Sequence, residues 1–169
     1  MPGSGTVASD LLGLLQHAQI VERSHLAAAP TVVWKRIASM PGVNAELMPA
    51  AYMTFPRGRD RLDRRDIIPG QPLFRSVLLL FCVLPIDIHT LALVSLSRDR
   101  GFLESSSSLL HRRWVHERTL EPERGGTTLT DRVYFDCRVA ALGAALAPVL
   151  RAIFRHRHAR LRRHFGEPK

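Results

Sequence analysis

Apolar and polar residues alternate from Gln19 to Ala27, with Ile20, Glu22, Ser24 and Leu26 on one side and Val21, Arg23 and His25 on the other, which predicts a first strand. Ala29-Pro30-Thr31 then opens a helix through Val33, Trp34 and Ile37, because a first-turn proline gives up an N–H that has no partner inside the helix. Met40-Pro41-Gly42 is read as its end, and a second short helix is expected from about Val43 to Leu47, stopping before Pro49. Beyond it the period shortens to two. Tyr52 and Phe55 suggest a short strand, followed by strands at about Leu73–Val83, Ile86–Ser97, Phe102–Ser107, His111–Glu121 and Thr127–Arg138. Turns at Leu84-Pro85, Asp99-Arg100-Gly101 and Arg124-Gly125-Gly126 separate them and predict an antiparallel meander.

Helical spacing returns from Leu142 to Phe165, where Leu142, Leu146, Val149, Leu150, Ile153, Phe154, Arg157, Leu161 and Phe165 form one stripe. Pro148 is tolerated if the regular helix begins near Ala147 and kinks it if the helix begins at Leu142. Such a helix reaches roughly 30 Å, enough to lie across a sheet that needs one face covered. The expected class is α+β, a curved antiparallel sheet of about seven strands wrapped around a long C-terminal helix, with two short helices after strand 1. Residues 1–18 read as an N-terminal extension, partly disordered or a short helix in which Asp10 caps a turn through Gln16, and residues 19–166 as a single domain. A sheet closed by one long helix and two short ones is not filled by its own side chains, so a concave apolar pocket is expected.

Three sequence markers in this order resemble the START-like, or SRPBCC, superfamily of helix-grip proteins, which includes polyketide cyclases/aromatases and lipid-transfer domains. The first is Ala29-Pro30-Thr31-Val32-Val33-Trp34, similar to the family's entry to its first helix. The second is Trp114-x-His116, followed by Gly126-Thr127 and Asp131-Arg132-Val133, similar to a bacterial ligand-binding branch reading W-x-H-x-H-x-F … G-T-x-x-x-D-x-V-x-Y. The third is Ile153-Phe154-Arg155-His156-Arg157, similar to I-F-x-Y-R in that branch's last helix. Arg118, Phe135 and His156 stand where the branch has histidine, tyrosine and tyrosine. The resemblance spans about Gln19 to Phe165 and implies a helix-grip fold that binds an apolar or amphipathic small molecule such as a lipid, polyketide-like ring system or isoprenoid.

Composition narrows the alternatives. The chain has 169 residues with 46% hydrophobic and 23% charged content, which excludes disordered and collagen-like classes. Its longest apolar run, Val77 to Leu84, is too short to span a bilayer, which takes about 20 residues. The first residues lack a basic leader, so a cytoplasmic location is expected. Cys82 and Cys137, in apolar strand-like contexts, read as small buried hydrophobes. The net charge of +9 is concentrated in the last helix, where Arg151, Arg155, Arg160, Arg162 and Arg163 offer a face for an anionic membrane or an acidic partner. With few aromatic residues for base stacking, specific nucleic-acid binding is not expected. Monomer and homodimer both remain open.

Strand parity puts Trp114, His116, Arg118 and Leu120 on one face, taken as interior, and Asp131, Val133, Phe135 and Cys137 on the matching face of the next strand. Asp131 is then placed to meet His116 or Arg118 across the ladder, as either a polar patch orienting a ligand or a satisfied structural pair. The expected wall residues are Trp114, His116, Arg118, Asp131, Val133, Leu146, Leu150 and Phe154, with Tyr52 and Phe74 beside them. No catalytic set is assigned, although His116 with Asp131 would serve as general base if the protein were a cyclase or aromatase. The Ser105 to Ser108 run reads as a polar edge strand. His156-x-His158 on a helix, and His111 with His116 on opposite strand faces, do not chelate, so neither metal nor cofactor is expected.

Overall fold

The computed structural model describes residues 4–64 and 66–168. In chain order its elements are α1 (Ser4–Leu15), β1 (Ile20–Leu26), α2 (Pro30–Ile37), α3 (Met40–Leu47), β2 (Ala51–Met53), β3 (Pro72–Leu80), β4 (Leu84–Ser97), β5 (Gly101–Ser108), β6 (His111–Glu123), β7 (Gly126–Cys137) and α4 (Ala140–Phe165). The seven strands form one antiparallel sheet in the order β1-β7-β6-β5-β4-β3-β2. Register shifts interrupt β3–β4, β4–β5 and β6–β7, and such bulges bend a sheet into a half-barrel. This is the helix-grip fold, with α4 in the concave face.

Side-chain chemistry explains the local detail. Ser39 caps α3 by accepting the Gly42 N–H at 3.1 Å, so Met40-Pro41-Gly42 begins that helix instead of closing the one before it. Gly101 has φ 141°, and a Cβ there would lie 2.0 Å from the Arg118 carbonyl oxygen, so only glycine lets β5 start this close to β6.

Several expectations change. The β3–β4 turn falls at Phe81-Cys82-Val83, and Leu84-Pro85 already belongs to β4; Phe81 and Cys82 take positive φ values of 50° and 64°. Cys82 is therefore half-exposed in a hairpin tip, whereas Cys137 is buried in the sheet. The Ser105–Ser108 segment lies in β5, the central strand of the sheet, with Ser106 and Ser108 buried on its inner side. Leu142 and Val149, assigned to the buried stripe, are 39% and 50% exposed: α4 starts at Ala140, and none of its residues before Phe154 is fully buried. Pro148 lies inside this helix, in the stretch that packs least.

Helix α1 begins at Ser4, earlier than the turn expected at Asp10, while Met1–Gly3 lie outside the described residues. It covers the convex side of the sheet, where Leu11 and Leu15 pack on Leu103 and Val115. Concave-side apolar packing is split in three: one cluster around Trp34, Leu129 and Leu161, one around Val133, Phe135 and Phe154, and one around Met40, Leu91 and Leu93. The space between these clusters becomes the site. Among the described residues no helix is long and apolar enough to cross a membrane.

Candidate functional site

A partly open cavity of about 140 Å³ lies between α4, α3 and the inner face of β2–β6. Its deep end is buried: Met40 of α3, Leu91 and Leu93 of β4, and Phe154 of α4 are each at most 6% exposed. Its outer end is formed by Leu80, Ile86, Leu150 and Ile153, which are partly or largely exposed and mark the mouth. Most of the wall is aliphatic or aromatic. The polar exceptions are Asp87, His89, Glu104, His111, His116 and Arg157.

Of the residues expected at the wall, Trp114, His116, Leu150 and Phe154 line the cavity. Arg118 and Asp131 sit behind it, both 0% exposed, and Val133 and Leu146 pack in the cluster around Phe135. Tyr52 lies between the lining residues Ala51 and Met53 on a strand, so its side chain takes the other face. Phe74 supports the Met40–Leu91 cluster without reaching the cavity.

His116, Arg118 and Asp131 do meet, inside a larger network. Arg118 and Asp131 are register partners, and the guanidinium donates to the carboxylate through Nε at 2.7 Å and a terminal nitrogen at 2.6 Å. Asp131 also pairs with His116 Nε2 at 3.0 Å and His158 Nε2 at 3.1 Å, so four donors occupy its two oxygens. The other side of His158 accepts from Ser24 Oγ, which itself accepts from Arg162. The remaining nitrogen of Arg118 donates to both oxygens of Glu46 at 3.0 and 3.1 Å, and Arg157 donates to Glu46 at 2.9 Å. On the cavity side, His116 Nδ1 faces Glu104 at 3.5 Å, and Glu104 is also held by His89 at 2.8 Å and Ser106 at 2.7 Å.

The charge balance around His116 favours its protonated form. Glu46, Glu104 and Asp131 contribute three negative charges, Arg118 and Arg157 two positive ones, and an imidazolium at His116 makes the set neutral. Burial pushes the His116 pKa down, but the charge and hydrogen bond of Asp131, then those of Glu104, outweigh it and hold it above the ordinary value. Burial likewise opposes the charges of Glu104 and Asp131, yet hydrogen bonds from His116 and His89, and the Arg118 charge, keep both carboxyls well below their usual range. The raised histidine contributes stability that is complete below about pH 6.5 and lost as pH rises through its higher folded value. The depressed carboxylates contribute stability that is complete above about pH 4.5 and lost as pH falls through their lower folded values. Urea midpoints measured from pH 4 to 10 should therefore decline on the alkaline side, and His116→Gln should remove that decline; an unchanged alkaline limb would contradict the imidazolium.

Sequence reasoning had not placed Glu46, Glu104, His89, His111 and His158 in the site. His111 and His116 share the inner face because the register shift between His111 and Arg113 adds one residue to the count. Four of the five C-terminal arginines hold α4 in place: Arg151 donates to the Gln19 carbonyl, Arg155 pairs with Glu22, Arg160 donates to the Ala45 carbonyl, and Arg162 reaches Ser24 and Glu167. Arg163 is exposed. The described residues contain no cluster of histidine, cysteine and acidic groups able to hold a metal.

The family described as "Domain of unknown function (DUF8410)" matches residues 24–165. No curated protein matches the chain. Among solved structures, a START superfamily protein from Mycobacterium smegmatis superposes with a TM-score of 0.59 at 8% identity, covering 86% of this chain and 95% of that one. Protein Ms6760 from the same organism gives 0.61 at 12% identity, over 88% and 91%. DynU16, a putative protein in the dynemicin biosynthetic locus, gives 0.56 at 15% identity over 88% of this chain and 48% of its own. At these identities the likeness is one of fold, and the fold is START-like.

Proposed function

The chain belongs to the DUF8410 family, and we propose that this domain binds an apolar or amphipathic small molecule, of lipid, polyketide-like or isoprenoid type, between sheet and C-terminal helix. The observation that carries this reading is the unfilled, mostly apolar space of about 140 Å³ between α4, α3 and the sheet. An engineered cavity of about 150 Å³ with a similar aliphatic and aromatic lining takes up benzene, so the interior suits one ring or a short branched chain. The mouth at Leu80, Ile86, Leu150 and Ile153 lets the rest of a larger molecule extend outward. Burying about 300 Å² of apolar ligand yields roughly 7 kcal/mol before the cost of association, consistent with micromolar binding.

Binding is favoured over turnover at His116 and Asp131. Both ring nitrogens of His116 face carboxylates, and Asp131 has no lone pair left for a substrate. Proton abstraction there would break a buried ion pair, which costs several kcal/mol. Native mass spectrometry of the protein from its own cells tests the reading: the expected spectrum shows an organic adduct that solvent extraction removes. Bare-chain mass in every preparation, with no apolar compound in the extract, would contradict it.

A further inference from the structure

The cavity wall holds a further acid–histidine pair, and here one ring nitrogen is left over. His111 is 6% exposed and stands in the cavity wall. Its Nδ1 lies 3.2 Å from Ser108 Oγ and 3.7 Å from Asp87 Oδ2. Ser108 Oγ also accepts the His111 backbone N–H at 2.9 Å, which holds the hydroxyl beside the ring. Asp87 is buried and anchored, its Oδ1 accepting the backbone N–H groups of Ile88 and Leu109 at 2.9 Å and of Leu110 at 3.3 Å. Burial works against its charge, but the His111 ring and Ser108 hydroxyl nearby and the backbone N–H groups bonded to it outweigh burial and lower its pKa to about 2. With the Asp87 carboxylate on its Nδ1 side, the ring in its neutral form keeps its proton on Nδ1 and leaves Nε2 as an acceptor.

That acceptor is buried without a hydrogen-bond partner among the described residues. Two aromatic rings flank the imidazole, with centroids 5.3 Å (Trp114) and 5.7 Å (Phe135) from its own, and these two stack on each other at 27°. A buried acceptor left unmade is a standing penalty, and a ligand donor that meets Nε2 after a small turn of the ring toward the cavity relieves it. The donor is a neutral one, since the surrounding wall is aromatic and the charge of Asp87 is already met by its own donors.

We propose that His111 Nε2 is the polar anchor of the cavity, accepting a hydrogen bond from a hydroxyl group on the ring-sized apolar end of the ligand. The site then distinguishes phenol- or alcohol-bearing molecules from the corresponding hydrocarbons and ethers. Asp87 and Ser108 act as positioning residues that fix the tautomer. This rests on the reading that the cavity binds apolar molecules, and it adds the chemical feature by which they are chosen.

The test compares 2-naphthol with 2-methoxynaphthalene, two probes of nearly equal shape, by isothermal titration at pH 8. The intact protein should bind both and favour the naphthol by about tenfold, the worth of one buried hydrogen bond. His111→Leu should keep affinity for the ether and lose the preference. Equal affinities in the intact protein overturn the anchor while leaving the cavity reading standing; failure to bind either probe overturns both. Should the leucine variant not fold, ¹⁵N chemical shifts of the His111 ring in the unaltered protein decide the matter. Nε2 should have the shift of an unprotonated ring nitrogen and move on adding 2-naphthol but not the ether, and a protonated Nε2 or an identical response to both overturns the proposal.

Discussion

Replacing Arg118 by methionine is expected to lower stability by about 3–5 kcal/mol, the usual cost of stranding a buried charge. The side chain is fully buried and bonds two carboxylates on different elements, Asp131 of β7 and Glu46 of α3. Methionine fills much of the volume but donates nothing. Asp131 would keep only its two histidines, and Glu46 only Arg157. The loss measures the penalty on the stranded acids, so adding Glu46→Gln and Asp131→Asn to the same protein should recover a large part of it. Urea denaturation followed by circular dichroism reads both effects. A loss under about 1 kcal/mol for the single variant would mean that water or a shifted neighbour satisfies the acids and that the network does not hold the helices.

That network matters because the fold is not filled. Where a domain of this size would press α3 and α4 onto the sheet through apolar packing alone, here Glu46, Arg157 and His158 attach them to Arg118 and Asp131 through charged hydrogen bonds. Such contacts are directional and fix distance as well as attraction. The helices are thus held at a set height above β4 and β5, and the space under them stays open.

Leu150→Trp should close that space. Leu150 is half-buried at the mouth, so the larger ring has somewhere to lean and folding is little affected, with the melting temperature changed by a few degrees at most. Affinity for 2-naphthol should drop by about a hundredfold, corresponding to about 2.7 kcal/mol of lost apolar contact. Titration calorimetry on the two proteins gives the ratio. Undiminished affinity would place the probe elsewhere on the molecule.

Much of this was legible in the chain. The period-two pattern and its turns predict the antiparallel run of strands though not the pairing of β1 with β7, and parity alone puts Trp114, His116 and Arg118 on one face opposite Asp131. What was not legible follows from two physical causes. A bulge changes parity without leaving a strong mark in sequence, so His111 was assigned to the face opposite His116. Buried acids also look like exposed ones: Glu46 sits in the short helix Met-Pro-Gly-Val-Asn-Ala-Glu-Leu and Glu104 beside a serine run, and only the assembled sheet shows each of them facing a cation. The amphipathic stripe of α4 was readable in its second half, where Phe154 and Leu161 are buried, and only partly in its first, where Leu146 and Leu150 pack beside Phe135 but Leu142 and Val149 meet solvent.

Methyl NMR on the unaltered protein during a 2-naphthol titration tests the hollow interior most directly. Met40, Leu91, Leu93 and Leu150, which surround the cavity, should shift together and saturate along one binding curve, while Leu11, Leu15 and Leu103 beneath α1 on the convex side stay fixed. Shifts confined to the convex side, or none that saturate, would contradict a ligand cavity under α4.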